Sequence, residues 1–150
     1  MEEEKTYSIK EIIFALENKL YDIFDIGSFG AFAVTNDYCE IVIRTENDEI
    51  PEKNRQLALL ALKNLKQHVE RANNWLGHFN LKHDKWYPNA LDAGYKIVQI
   101  YAGEFEAGGY YRYSGFYIKF NTVNYYPCEF IVKFNTNSGG WPYAVEECVE

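Results

Sequence analysis

The sequence predicts an α+β domain in which a curved, largely antiparallel sheet is packed by one long helix over about residues 51–75 and an N-terminal helix over about 9–24. Three observations predict it. Four apolar-aromatic segments, Lys96 to Ala102, Tyr110 to Asn121, Cys128 to Thr136 and Pro142 to Cys148, follow one another with only turn residues between them. Two earlier stretches carry apolar residues at helical spacing. The composition is 47% hydrophobic with 13 Tyr and 10 Phe, residues that favour strands. A length of 150 residues suits a single domain over residues 1–150 with one core.

From the N-terminus, Ser8 with Glu11 forms a capping-box pattern ahead of Ile9, Ile12, Ile13, Leu16, Leu20, Ile23 and Phe24, which recur as one helical face. Gly27 and Gly30 break that helix, and Gly30 to Val34 and Tyr38 to Arg44 flank Thr35-Asn36-Asp37 as a hairpin. Pro51 suits the first turn of the next helix, with Glu52 favourable at the positive end of its dipole. Ala58, Leu62, Leu65, Val69, Ala72 and Leu76 line one stripe as far as about Trp75, so this helix covers the sheet and Gly77 ends it. His68 is expected to face solvent beside that stripe. The region from His78 to Ala93 has no clean period and reads as a structured loop or short helical turns. In the third β segment Cys128, Phe130, Val132 and Phe134 face one way and Glu129, Lys133 and Asn135 the other, so the first set needs a covering layer.

The formal net charge is -7, from 22 acidic and 15 basic side chains. It argues against a nucleic-acid groove, which needs concentrated cations, and makes a basic protein the natural partner. Part of the charge lies in Glu2 to Glu4 and in Glu146, Glu147 and Glu150, where it also keeps the ends solvated. No apolar run approaches the roughly 20 residues that span a bilayer, and Met1-Glu2-Glu3-Glu4 has no basic leader region, so no membrane association and a cytoplasmic location are expected. Cys39, Cys128 and Cys148 are odd in number and widely spaced, against a disulfide framework or a CxxC metal knuckle. Cys128 reads as a small buried hydrophobe.

Each candidate for chemistry has a plainer competitor. His78, His83 and Asp84 are close in sequence, but five-residue spacing does not put both imidazoles on one helical face, so no metal site is expected. Cys39 or Cys148 would need a nearby base and an activated thiolate that nothing in the sequence suggests. Ser114 and Ser138 lack the Gly-x-Ser-x-Gly elbow. Gly108-Gly109 and Gly139-Gly140 read as turns, since neither pair opens a helix as a phosphate cradle would. Glu104 and Glu106 would share one side of a continuous strand, as a catalytic pair requires, yet beside Gly103 and Gly108 they read as the polar end of a hairpin. No catalytic residue and no cofactor follows from these patterns.

The strongest recognition signal is Tyr110-Tyr111-Arg112-Tyr113, where Tyr and Arg on a strand combine flat apolar area with donors. Tyr111, Arg112 and Tyr113, together with Trp141 of Trp141-Pro142-Tyr143, are the candidate partner-binding residues. Half of the tyrosines belong to the core if the sheet has one wet face.

The order Gly27-Ser28-Phe29-Gly30, acidic strand, long helix, Trp86-Tyr87-Pro88, then Cys128-Glu129-Phe130-Ile131-Val132 and Gly140-Trp141-Pro142-Tyr143-Ala144-Val145-Glu146 resembles small bacterial α+β domains of unknown function. In size and acidity these are similar to the immunity proteins that neutralise polymorphic toxins. The resemblance implies the fold more than the function; the net charge of -7, the Tyr110 to Tyr113 strand and the lack of a catalytic pattern lead to a non-enzymatic cytosolic protein-binding domain, an immunity-type inhibitor of a basic toxin or enzyme. A small-molecule or carbohydrate binder using the Tyr-rich strand is the alternative, and a hydrolase using Glu104 or Glu106 a third.

Overall fold

A computed structural model describes residues 7–20, 25–27, 31–35, 40–83, 95–107, 111–122, 128–136 and 141–149, with side chains over 7–20, 40–76, 97–104, 114–121, 130–134, 136 and 142. The chain is α+β. Helix α1 spans Ile9–Glu17, strands β1, β2 and β3 span Asp25–Gly27, Ala31–Thr35 and Glu40–Arg44, and helices α2 and α3 span Glu52–Lys63 and Leu65–His83. Strands β4 to β7 follow at Tyr95–Ala107, Tyr111–Thr122, Cys128–Asn135 and Trp141–Val149.

The Ser8 half of the capping box forms as its residues dictate. Ser8 Oγ accepts from the Glu11 amide at 3.1 Å and donates to the Glu11 carboxylate, satisfying a donor the first turn leaves unpaired. Ile12, Ala15 and Leu16 are buried, and α1 packs on α2. The helix ends well before Phe24, at Glu17. Lys19 turns left-handed at φ 55°, the Leu20 amide bonds back to the Ala15 carbonyl at 2.8 Å, and Asn18 Nδ2 donates to Phe14 O at 2.8 Å. This Schellman closure takes up the last carbonyls and stops the helix although the apolar spacing continues. Residues 21–24 of the expected helix lie outside the described residues, as do 36–39 of the expected hairpin.

The single helix expected over 51–75 is two helices. At Asn64 the backbone leaves the helical region (φ -116°, ψ 31°) and its amide bonds Leu62 O; the ladder resumes with His68 N to Asn64 O at 3.0 Å. Asparagine is a weak helix former whose side chain competes for backbone partners. The break rephases the buried stripe. Ala58, Ala61 and Leu62 point into the core from α2, whereas His68, Ala72 and Leu76, four apart, do so from α3; Leu65 and Val69 are half-buried at its margin. His68 is therefore not solvent-facing but fully buried, its ring 5.0 Å from that of Phe116 and 5.3 Å from that of Phe134. Gly77 lies inside α3, which runs on to His83 through part of the stretch expected as loop.

Among the described residues the sheet has seven strands, in the order β1-β2-β3-β4-β5-β6-β7. Every neighbouring pair is antiparallel except β3–β4, which is parallel. A parallel pair needs a crossover, and α2 with α3 supplies it. Ile41, Ile43, Ile100, Ala102, Phe116, Ile118, Phe120, Phe130, Val132 and Phe134 form the buried face under the helices, with Phe116 and Phe134 stacked at 4.7 Å. Irregularities at Ile97/Gln99 and Lys133/Phe134 interrupt the register of β4–β5 and β6–β7. The alternation in β6 thus reports a buried face at Phe130, Val132 and Phe134. Lys133, on the other face, is nevertheless only 9% exposed, because it lies between Tyr117 of β5 and Ala144 of β7, where its aliphatic stem is covered. The side chains of Cys128, Glu129 and Asn135 lie outside the described residues.

Candidate functional site

The face of the sheet away from the helices carries the most organised polar group of the described side chains. Registers across β3, β4, β5 and β6 put Val42, Tyr101, Tyr117 and Lys133 in one row and Glu40, Gln99, Lys119 and Ile131 in the next. The Tyr101 and Tyr117 rings stack, centroids 4.9 Å apart and planes 16° from parallel. Tyr117 Oη donates to Gln99 Oε1 at 2.9 Å, and Gln99 Nε2 donates to Glu40 Oε1 at 2.8 Å. The chain of donors ends on a carboxylate, which polarises each bond along it.

Tyr101 is held from its other side. Its hydroxyl donates to the Glu104 carbonyl, which also accepts from the Arg44 guanidinium at 3.4 Å. Burial pushes the Tyr101 phenol up, an effect that Arg44 opposes by hydrogen bonding and charge and Glu104 reinforces. The phenol is therefore a neutral donor at physiological pH. Gly103 makes this approach available. It is buried, at φ +146°, and a Cβ there would lie 2.6 Å from Arg44 Cβ and 3.2 Å from Tyr101 Oη, so a bare backbone lets Arg44 close over the strand.

The charge on this face is mixed, with Arg44, Lys119 and Lys133 against Glu40. Exposed acid gathers instead at the end of the sheet, in Glu46, Asp48, Glu49 and Glu52. Asn47 and Asp48 both have positive φ, 52° and 62°, and Glu46 and Glu49 exchange amide-to-carbonyl bonds of 2.8 and 3.0 Å, a two-residue turn of the I′ kind. Hydrogen bonds from Arg55 and Gln56 pull the Glu52 carboxyl down to about 2.

Of the residues singled out in the sequence, Tyr111, Arg112 and Tyr113 open β5 opposite Ala107, Glu106 and Phe105. Trp141 opens β7 opposite Asn135, with β6 lying between it and β5. The side chains of these four residues lie outside the described residues. Glu104 and Glu106 lie in the last residues of β4, opposite Ser114 and Arg112, at the end of the β4–β5 hairpin; the ladder carries the strand to Ala107. Glu104 serves the face through its main-chain carbonyl. Tyr101, Gln99, Tyr117 and Arg44 were missed. Alternation places Gln99 with Tyr101 and Tyr117 with Lys119, but only the β4–β5 register stacks one tyrosine on the other.

His78 and His83 lie in α3 with side chains outside the described set, and among the described residues no group of three or more His, Cys, Asp or Glu is arranged to hold a metal. One open groove of about 370 Å³ runs along α1 past Tyr7, Phe14, Ala15 and Leu20. Another of about 440 Å³ lies at the α2–α3 corner beside Lys63, Gln67 and Glu70. Neither gathers converging carboxylates. Among the described residues no helix is long and apolar enough to cross a membrane. No protein-family model, curated protein or solved structure matches the chain.

Proposed function

We propose that this protein is a non-enzymatic binding domain that inhibits a basic protein partner, a toxin or an enzyme, in the manner of the immunity proteins to which it is similar in size and acidity. The observation that carries the reading is the Tyr101–Tyr117 stack, braced by Gln99, Glu40 and the Glu104 carbonyl on the sheet face opposite the helices. Prefixed aromatic side chains lose little entropy on contact, which makes them efficient anchors. Tyr111 and Tyr113, at alternate positions further along the same strand as Tyr117, extend the proposed surface, whereas Arg112 alternates to the helix side of β5. The net charge of -7, with exposed acid in the Glu46 to Glu52 turn, supports attraction of a cationic partner, raising the association rate more than the final affinity.

The test is capture from a lysate of the source cells, followed by kinetics on the captured protein. The wild type is expected to retain a basic protein. Reversing Glu46, Asp48 and Glu49 to Lys slows its association, as does added salt, since the Debye length is only about 8 Å at physiological ionic strength. Tyr117→Ala speeds its dissociation instead. A wild type that retains no basic protein ends the inhibitor reading and leaves a small-molecule or carbohydrate ligand for the Tyr face.

A further inference from the structure

The outward side of α1 carries exposed apolar surface. Phe14 is 61% exposed and Leu20 51%, two of the three exposed large apolar side chains among the described residues. Both line one groove with Tyr7, Lys10, Glu11 and Ala15. Single apolar residues at a surface are ordinary, whereas a cluster marks a contact. Helical spacing explains where it lies. Ile12, Ala15 and Leu16 turn inward, so Lys10, Glu11, Phe14 and Glu17 fall on the opposite side of the helix, all exposed.

The charges on that side run against the helix itself. A helix favours acid at its N-terminal end and base at its C-terminal end. Glu11 obeys, and its carboxylate accepts from Ser8 Oγ at the cap. Lys10, however, stands in the first turn, Glu17 is the last residue, and the last turn holds no basic side chain. Glu17 approaches Lys63 of α2 at 3.6 Å, but both side chains are about half exposed, and solvated pairs of this kind add little. A local rule broken at both ends of one helix points to a contact outside it.

We propose that this face binds the same face of a second copy, two α1 helices lying antiparallel about a two-fold axis beside Phe14. Such an axis sets residues equally far before and after it against each other. The two Phe14 rings meet near the axis, Lys10 of each copy faces Glu17 of the other, and Tyr7 faces Leu20. The misplaced charges thereby become two complementary pairs. Ser8 retains Glu11, and Lys19, just past the helix, helps to hold down the Glu52 carboxyl of its own α2. A helix of 9 residues is only about 13 Å long, so the contact falls short of the roughly 800 Å² per partner of a standard interface. A weak, reversible dimer follows, with a dissociation constant between about 10 μM and 1 mM. The net charge of -7 on each copy opposes it at long range, so physiological salt, with a Debye length of about 8 Å, favours assembly. The contact lies on the helical layer, away from Tyr101 and Tyr117, and stands independently of the inhibitor reading.

Sedimentation equilibrium of the full chain from about 10 μM to 1 mM tests the pairing. The wild type is expected to pass from monomer to dimer across that range. Lys10→Glu and Glu17→Lys each turn both pairs repulsive, and each should weaken the dimer about tenfold. Mixed in equal amounts, the two variants are complementary again and should recover the wild-type constant to within about threefold. Both changes suit the helix dipole better than the native residues do, so the weakening cannot come from a melted α1. A wild type that remains monomeric at about 1 mM overturns the proposal and leaves the face to a different protein. A mixture no tighter than either variant alone overturns it as well. Should a variant not fold, wild-type NMR decides: amide shifts that move on dilution along residues 7–20 support the pairing, and shifts that stay fixed or move elsewhere overturn it.

Discussion

Replacing Gly103 by Ala adds one methyl group where two separate features leave no room for it. The backbone there is at φ +146°, and the new Cβ would lie 2.6 Å from Arg44 Cβ. Both atoms are fixed directly to strand backbones, so no rotamer change relieves the contact; β3 and β4 must part. A sparsely populated backbone conformation costs about 1–3 kcal/mol for a residue with a Cβ, and overpacking a close-packed site costs a further 1–3 kcal/mol or so. The expected loss is about 2–6 kcal/mol, a large share of the roughly 5–15 kcal/mol that holds a domain of this kind together. A glycine under neither constraint would gain about 0.4–1 kcal/mol on the same change, so even the sign is diagnostic. Equilibrium urea unfolding measures it, with the slope checked for a changed denatured state. A double-mutant cycle separates the terms. Arg44→Gly removes the facing Cβ, and in that background Gly103→Ala should lose the packing part of its cost, about 1–3 kcal/mol, and retain the backbone part. A cost below about 0.5 kcal/mol in the wild-type background, the range of surface changes, would refute the reasoning.

Phe130→Ala should cost about 3–5 kcal/mol by lost transfer energy and a cavity under the helices, whereas Ile131→Ala, half-buried on the opposite face, should cost about 1–2 kcal/mol; equal losses in urea melts would sink the two-faced reading of β6. Glu52 is held at about 2 in the fold against an ordinary 4.5, so its contribution is fully present above the ordinary value and fades as the pH falls toward 2. Carbon-13 NMR of the carboxyl should show that low titration in the wild type and a return toward 4.5 in Arg55→Ala; no change in the variant would mean that Arg55 is not the cause.

Local rules made several elements legible. Ser8 and Glu11 announced the start of α1 because a capping box uses only neighbouring residues. The strict alternation of β6 revealed its buried face, and the turn-separated aromatic segments its neighbours. The ends of helices were not legible in the same way. Apolar spacing continues through Leu20 and through Leu65, but the chain stops α1 with a left-handed Lys19 and interrupts the next helix at Asn64, outcomes in which a weakly disfavoured residue is overruled or exploited by its packing. His68 was misread for a related reason. Period counting treats histidine as polar, while the rephased α3 turns it inward as an aromatic ring against Phe116 and Phe134.

By itself the sequence determined an acidic α+β chain, its strand-rich C-terminal part and the faces of its strongest strand, because composition, alternation and capping act over a few residues. Only the tertiary structure decided the parallel junction of β3 with β4, the row that stacks Tyr101 on Tyr117, the closeness of Arg44 to Gly103, and the burial of His68 against Phe116 and Phe134. Each depends on contacts between residues far apart in the chain. Register between strands is set by the fit of whole faces, so no local pattern encodes which tyrosine meets which.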